Sequence, residues 1–430
     1  MSYRFNQFCL RQQLDANLYL YTNFFNERQV LINSRYHNLL NDDIDSFIAG
    51  YPEESTQLIE EGFIVTAEND EFNTYLHQRI NERKDTSMYH IIVNPTLDCN
   101  LNCWYCYEKR VKGSRIDETI IDGICKNIIN SFSRIDFKCL KLSFFGGEPF
   151  LQWPAIKKII EFASTFCNEN HIELFLDFTT NATLIKKSYL DFLRNYACQF
   201  QITLDGNPSQ HNKIKYFSKA NIDTYQRTLD CIYAIQSHIP VSAVYVRINF
   251  DAETLRDFET ILASLKKLDR KRTVVILKKI WQVDCADVDR HLINTALDEL
   301  LNSGFIVDYY GQGGWCFADK DNQVTINYDG KIFRCTTIDV FDDSTALGIL
   351  KSETGELIWN KERIKYLEND EISEKCKSCQ MLPKCGGPCR KQMEMGMTNK
   401  CFLDDQGITL EEYAVTMLQI NKVKQQVLSK

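Results

Sequence analysis

From residue 88 onward, short runs of β-branched and aromatic residues alternate with longer stretches whose apolar positions recur every three to four residues. The runs predict strands at 89–94, 138–145, 172–179, 198–204, 242–249 and 274–280. The longer stretches predict helices near 117–132, 154–168, 186–196, 221–237, 254–268 and 287–302. Six strand–helix units in succession imply an α/β fold with a parallel sheet and crossover helices, either an open doubly wound sheet or a partial barrel. Both architectures place function at the carboxyl ends of the strands.

The flanking regions have a different texture. Residues 14–33 read as strand, turn and strand, with helical patterns around Tyr36, Leu39 and Leu40 and around Ile44, Phe47 and Ile48. A helix at 55–61 leads into a closing strand at 62–65, and the charged stretch 66–87 predicts a connecting helix. Strands and short helices in so small a segment suit a winged-helix-like module. After residue 305, a glycine-rich segment precedes an expected β-hairpin at 323–335, turning at Asp329-Gly330. A terminal helix is expected at 409–428.

Composition narrows the class. The chain has 430 residues, 44% hydrophobic and 25% charged, which suits an ordinary globular protein of two or three domains. A formal charge of -8 argues against a nucleic-acid surface. No apolar run approaches the roughly 18 residues that span a bilayer, and no signal peptide is read, so a cytoplasmic protein without a membrane partner is expected. Its 17 cysteines then imply metal or catalytic thiols in a reducing compartment. Neither a P-loop nor a Gly-x-Gly-x-x-Gly after a strand occurs, and the seven histidines form no ligand pattern.

The cysteines are not spread evenly. Cys99, Cys103 and Cys106 form a C-x3-C-x2-C array directly after the first predicted strand, and seven more lie between 316 and 401. A structural zinc site closes with four protein ligands. A [4Fe–4S] cluster held by three cysteines leaves one iron free to bind something else. The other strand ends are also equipped: Gly146-Gly147-Glu148-Pro149, Thr180-Asn181, Asp205-Gly206, and Arg247 with Asn249. Together they describe one pocket at one rim of the sheet.

This array, with Tyr105 before its last cysteine, resembles the radical S-adenosylmethionine (SAM) superfamily. The resemblance implies a partial (β/α)6 barrel at 88–305 in which the free iron chelates the amino and carboxylate groups of SAM. It assigns Gly146, Gly147 and Glu148 to the amino acid portion of SAM and Tyr105 to the adenine. Asn181, Asp205 and Arg247 become candidates for the ribose or carboxylate. Glycines let a backbone approach closely, and a carboxylate can accept from an ammonium group.

Downstream, Cys316-x13-Gly330-x4-Cys335 and Cys376-x2-Cys379-x5-Cys385-x3-Cys389, followed by Cys401, resemble the SPASM extension of that superfamily, here at 306–430. The resemblance implies two auxiliary clusters, one on Cys376, Cys379, Cys385 and Cys401 and the other on Cys316, Cys335 and Cys389. The second is one ligand short, and Cys285 or the substrate is the candidate for the vacancy. In all, three [4Fe–4S] clusters and SAM are expected, with a flavodoxin or ferredoxin as electron donor.

The module at 1–87 resembles the peptide-recognition element of radical SAM peptide maturases, where a leader peptide adds as an extra strand. The segment Leu382-Pro383-Lys384-Cys385-Gly386-Gly387-Pro388-Cys389 resembles the grasp-with-spasm maturases, which implies a precursor peptide substrate and an ATP-grasp ligase in the same pathway. The expected reaction is an intramolecular cross-link, thioether or carbon-based. A sulfatase-type maturase, a peptide epimerase and a cofactor-biosynthesis enzyme are the alternatives, and a zinc scaffold is the non-enzymatic one. Thr336-Thr337 after Cys335, where the sulfatase-maturating branch has an aspartate base, weighs against the first. No residue is assigned as the base.

Overall fold

The computed structural model describes residues 2–217, 222–280, 288–309, 316–397 and 400–429. Two compact units emerge, one of Met1–Lys84, Gln312–Cys316 and Lys365–Asn421, the other of Asp85–Gly311, Phe317–Ile364 and Lys422–Lys430.

In the first unit, β1 (Tyr3–Phe5) pairs antiparallel with β5 (Ile64–Thr66). A three-stranded antiparallel sheet runs β2 (Cys9–Gln13), β3 (Leu18–Asn23), β4 (Arg28–Asn33). Three short helices follow, α1 (Ser34–Asp42), α2 (Ile44–Gly50) and α3 (Pro52–Glu60). Local chemistry sets their starts: the Asn33 side chain accepts from Tyr36 N–H, that of Asp43 accepts from Ser46 N–H, and Pro52 opens α3. Tyr21, Leu40, Phe47, Leu58, Phe63 and Ile64 form their core.

The connecting helix is α4 (Glu71–Lys84), and it ties the N-terminal segment to 365–421. Phe8, Tyr75, Ile372 and Leu382 make one apolar cluster. Arg79 donates to the Gly386 carbonyl at 3.1 Å, and Asp370 accepts from Arg83 at 2.9 Å and from Arg390 at 2.5 Å. Residues 1–84 and 365–421 thus share one core, a pairing that chain order conceals.

The second unit is built on the sheet β12-β11-β10-β9-β8-β7-β6-β13-β14-β15-β16. The six predicted strands are β6 (Met88–Asn94), β7 (Cys139–Phe144), β8 (Glu173–Thr180), β9 (Ala197–Thr203), β10 (Ser242–Phe250) and β11 (Thr273–Lys279), all mutually parallel. Their connections are α5 (Glu118–Ile135), α6 (Trp153–Glu169), α7 (Lys187–Leu193), α8 (Pro208–Ile214), α9 (Thr224–His238), α10 (Ala252–Arg256) and α11 (Phe258–Leu265). The helix expected at 254–268 is broken because Asp257 leaves helical geometry and its side chain binds Thr260 and Asn207. After α12 (Arg290–Asn302), the short β12 (Ile306–Asp308) extends the parallel sheet, beyond the six strands expected.

The hairpin forms as expected, with β13 (Gln323–Asn327) antiparallel to β14 (Lys331–Phe333). Its first strand also joins the main sheet, parallel to β6. The strands β15 (Gly348–Lys351) and β16 (Glu356–Trp359) complete that edge.

Burial explains why these parallel strands alternate. One face packs on helices: Tyr89 donates to Asn127 of α5 at 2.7 Å, and Ile124, Ile128, Ile156 and Ile159 are fully buried. Phe144, Phe178 and Phe200 stack across three strands at 5.3 and 5.0 Å. The opposite face is polar, so the continuous apolar runs of a sheet buried on both sides are absent. His90 Nε2 lies 2.8 Å from Ser143 Oγ, which donates to Asp177 at 3.0 Å, and Asp177 pairs with Lys141 at 3.2 Å.

That polar face carries a pH signature. Burial, reinforced by Lys141, holds the His90 imidazole down at about 3, against 6.5 for an unperturbed ring. Below pH 6.5 the unfolded chain takes a proton that the folded chain refuses, so stability falls as pH drops through that window toward 3. His90→Gln is expected to flatten this slope, read as the urea midpoint between about pH 7 and pH 5.

Candidate functional site

The cysteine loop leaves β6 and is closed by its own hydrogen bonds. Thr96 Oγ1 donates to the Ser114 carbonyl at 2.6 Å and accepts from Asp98 N–H, and Asp98 Oδ2 accepts from Gly113 N–H at 2.8 Å. Leu97 and Leu101 are buried anchors on either side of Cys99. Cys99 and Cys103 are half-buried and Cys106 is exposed. Burial pushes the Cys99 thiol up to about 12, with Glu148 adding to it; burial also raises Cys103. Such thiols become thiolates only where a cation compensates their charge.

The strand ends close on this loop. Gly147 N–H donates to the Thr96 carbonyl at 3.1 Å and Glu148 N–H to the Asp98 carbonyl at 2.9 Å. The close approach that these glycines permit is therefore to the backbone of the cysteine loop: a Cβ on Gly146 would stand 2.4 Å from Thr96 O, and one on Gly147 2.1 Å from Asp98 O.

Glu148 is fully buried. Its carboxylate accepts from Phe150 N–H at 3.0 Å, from Thr180 Oγ1 at 2.8 Å and from Asn181 N–H at 2.8 Å, so protein donors engage both oxygens. Burial pushes this carboxyl up to about 7, although those donors pull the other way. Glu148→Gln leaves one acceptor oxygen for N–H groups that now use two. It is expected to lower stability by about 1–3 kcal/mol in urea unfolding.

The remaining strand ends form a second network. Tyr105 donates to Asp205 Oδ2, and Asn249 Nδ2 donates to Tyr105 Oη at 3.2 Å. Asp205 Oδ1 accepts from Asn249 N–H at 3.0 Å, and Lys215 lies 3.5 Å from Oδ2 in a fully buried pair. Arg247 reaches the group through Asn249 Oδ1 at 2.9 Å. Asn181 Nδ2 donates to Cys99 Sγ at 3.8 Å and to Asn100 Oδ1 at 3.0 Å. The structure thus brings Tyr105, Gly146, Gly147, Glu148, Asn181, Asp205 and Arg247 to the three-cysteine loop. Lys215 and Asn249 join them. Asn249 stood with Arg247 at the end of its strand in the sequence, whereas nothing local marked Lys215.

In the other unit, Cys376 and Cys401 lie close enough to Cys379 and Cys385 to act on the ionisation of both. Burial raises Cys385 to about 11, and Cys379, Cys376 and Cys401 add to the shift. Burial likewise raises Cys379, with Cys376 and Cys401 adding. Cys316 and Cys389 are exposed, and Cys335 packs against Leu97, Phe333 and Phe341. Cys285 lies outside the described residues. Among those described, no three His, Cys, Asp or Glu side chains close around a single ion. A cube of iron and sulfide holds its cysteines farther apart than one ion does, and all-thiol sets of three and four suit that group. No helix among the described residues is long and apolar enough to cross a membrane.

Comparison with known proteins bears on both sets of cysteines. Residues 93–265 match the Radical SAM superfamily, and residues 316–380 match SPASM, an iron–sulfur cluster-binding domain. The chain is 22% identical to the radical SAM cyclopropyl synthase TigE of Paramaledivibacter caminithermalis, over 90% of this chain and 83% of that protein. It is also 22% identical to the cysteine-type anaerobic sulfatase-maturating enzyme of Clostridium perfringens, over 68% of this chain and 86% of that one. Its fold is similar to the solved structure of native anSMEcpe with bound AdoMet and Kp18Cys peptide, with a TM-score of 0.56 at 18% identity, covering 80% of this chain and 98% of that chain. A thiol loop after the first parallel strand, strand ends folded onto it and these two domain matches agree: the chain carries a radical SAM domain followed by a SPASM iron–sulfur domain.

Proposed function

We propose that this chain is a radical SAM enzyme that oxidatively modifies a ribosomally made precursor peptide, closing a bond within it. Cys99, Cys103 and Cys106 would hold one [4Fe–4S] cluster, with SAM on the free iron. Bound and reduced there, SAM supplies a 5′-deoxyadenosyl radical that takes a hydrogen atom from the substrate. The protein's share is positioning. Glu148 locks the third strand end beneath the loop, Asn181 donates to Cys99, and the Tyr105–Asp205–Asn249–Lys215 network fixes the loop's aromatic residue. The observation that carries the reading is this convergence of four further strand ends on a three-thiol loop.

Cys376, Cys379, Cys385 and Cys401 would hold one auxiliary cluster, and Cys316, Cys335 and Cys389 the other. The peptide substrate is supported by the Kp18Cys peptide bound in the solved structure of similar fold and by the first unit, where β2 and β4 are the edges of an antiparallel sheet and Leu31 on β4 is half exposed. An added strand from a leader peptide suits such an edge. A flavodoxin or ferredoxin would supply electrons, and an ATP-grasp ligase would act on the same peptide.

Each new bond would remove two hydrogens from the peptide, one as the atom taken by the 5′-deoxyadenosyl radical and one as a proton, with the remaining electron going to an auxiliary iron–sulfur cluster. A carbon-based ring closure, the activity in TigE's name, has the same balance. The sulfatase-type alternative is disfavoured by Thr336-Thr337 after Cys335; Asp339 nearby meets the cysteine loop through its carbonyl, which accepts from Lys109 N–H at 2.7 Å.

Anaerobic reconstitution is expected to load about twelve irons with matching sulfide per chain. With dithionite and SAM it should yield 5′-deoxyadenosine, and a co-expressed precursor peptide should lose two hydrogens per bond by mass spectrometry. Stoichiometric zinc without iron, or no 5′-deoxyadenosine from the iron-loaded protein, would sink the proposal.

A further inference from the structure

We propose that the seam between β6 and β13 binds an amide group of the substrate through Asn94 and Asn327. The inference rests on the peptide reading above and names the contact that would hold the peptide near the cysteine loop. Register places Asn94 directly beside Asn327 in the parallel pair. Alternation puts both on the polar face with His90, because Tyr89, Ile91 and Val93 take the face that packs on α5.

Both side chains are fully buried, at 0% exposure. Among the described residues, neither Nδ2 nor Oδ1 of Asn94 has a hydrogen-bond partner. Asn327 Nδ2 donates to Asp329 Oδ1 at 2.9 Å. The reverse orientation would set an amide oxygen against a carboxylate, so the Asn327 Oδ1 assignment is chemically secure, and this atom also lacks a partner. Farther along the same face, Gln323 Nε2 donates to Thr325 Oγ1 at 3.1 Å and leaves Oε1 without a partner.

Folded chains leave very few buried polar atoms unpaired. Here one donor and two acceptors coincide on neighbouring residues, and a third acceptor lies on the same strand. Their complement is a ligand with N–H donors and a carbonyl acceptor in close proximity. A carboxylate or phosphate brings no donor, an ammonium brings no acceptor for Asn94 Nδ2, and an apolar group brings neither. A peptide amide brings both, as a hydroxyl also does, and the peptide substrate proposed above selects the amide. The position is apt: Asn94 ends the strand five residues before Cys99, and its Cβ lies 3.4 Å from where a Cβ on Gly146 would stand.

The probe is a fluorescein-labelled, end-blocked heptaglycine, which offers main-chain amides alone, and the control is a labelled polyether of equal length. Iron-loaded wild-type protein with SAM is expected to bind the peptide at least about tenfold tighter than the polyether by anisotropy. Asn94→Leu and Asn327→Leu are each expected to weaken peptide binding about tenfold, the effect of losing one to two buried hydrogen bonds. Asn94→Ser and Asn327→Ser decide the matter should either leucine variant not fold by circular dichroism. Peptide affinities within about twofold of wild type, or equal affinity for the polyether, would mean that the amides hold only water and would overturn the proposal. Iron content and 5′-deoxyadenosine formation in the wild type report separately on the radical reading.

Discussion

Gly147→Ala is expected to produce a folded protein that takes up about four fewer irons and forms no 5′-deoxyadenosine. The added Cβ would stand 2.1 Å from Asp98 O, 2.6 Å from Asp98 C and 2.9 Å from Leu97 C. These are backbone atoms held by Thr96, Ser114 and Gly113, so no flexible side chain can yield. Relief requires moving the loop and surrendering the bonds from Gly147 to Thr96 and from Glu148 to Asp98. That displaces Cys99 relative to Cys103 and Cys106. Gly50→Ala is the control, since a Cβ there meets nothing within 4 Å. Iron and sulfide assays with mass-spectrometric detection of 5′-deoxyadenosine provide the check. Wild-type iron and turnover in Gly147→Ala would contradict the assignment of the glycines to loop closure.

The second large effect is expected at Asp205, where Asp205→Asn should cost about 3–5 kcal/mol of stability and most of the activity. The carboxylate is fully buried and answers donors from Tyr105, Asn249 and Lys215. An asparagine cannot balance the Lys215 ammonium, itself only 5% exposed, and its amino group would face donors. The uncompensated charge dominates, because Coulomb attraction that offset desolvation has gone while the desolvation remains. Urea unfolding measures the loss. Adding Lys215→Met to Asp205→Asn removes the orphaned charge and is expected to recover part of the stability without restoring turnover, since Tyr105 still lacks its acceptor. Equal stability of the two variants would refute the charge argument.

Much of the fold was legible because its signals are local. A strand buried on one face alternates with period two, and a helix on the sheet repeats near period 3.6, so β6 to β11 and the longer helices between them could be read from residue order, whereas the seven-residue α8 was not. The breaks had other causes. The helix near 254–268 divides at Asp257, whose carboxylate is drawn to Asn207, 50 residues away. The strand β12 is three residues long, too short for a period to register. The union of α4 with 365–421 rests on Arg79, Arg83 and Asp370, charged residues that look like surface positions until their partners are known.

The candidate site divides in the same way. By itself the sequence determined the thiol spacing, the strand ends that bear unusual residues and the hairpin at Asp329-Gly330, all properties of neighbouring residues. Only the tertiary structure decided what those residues do to one another. Glu148 reaches Asn181 across 33 positions, Asp205 reaches Asn249 across 44, Tyr105 reaches Asp205 across 100, and Asn249 reaches Tyr105 across 144. The same holds for the glycines at 146 and 147, whose close neighbour proves to be the cysteine loop, and for Asn94 beside Asn327. Hydrogen bonds and buried charges depend on distance in space and on exclusion of water, and a parallel sheet brings its strand ends together without leaving any trace of that proximity in residue order.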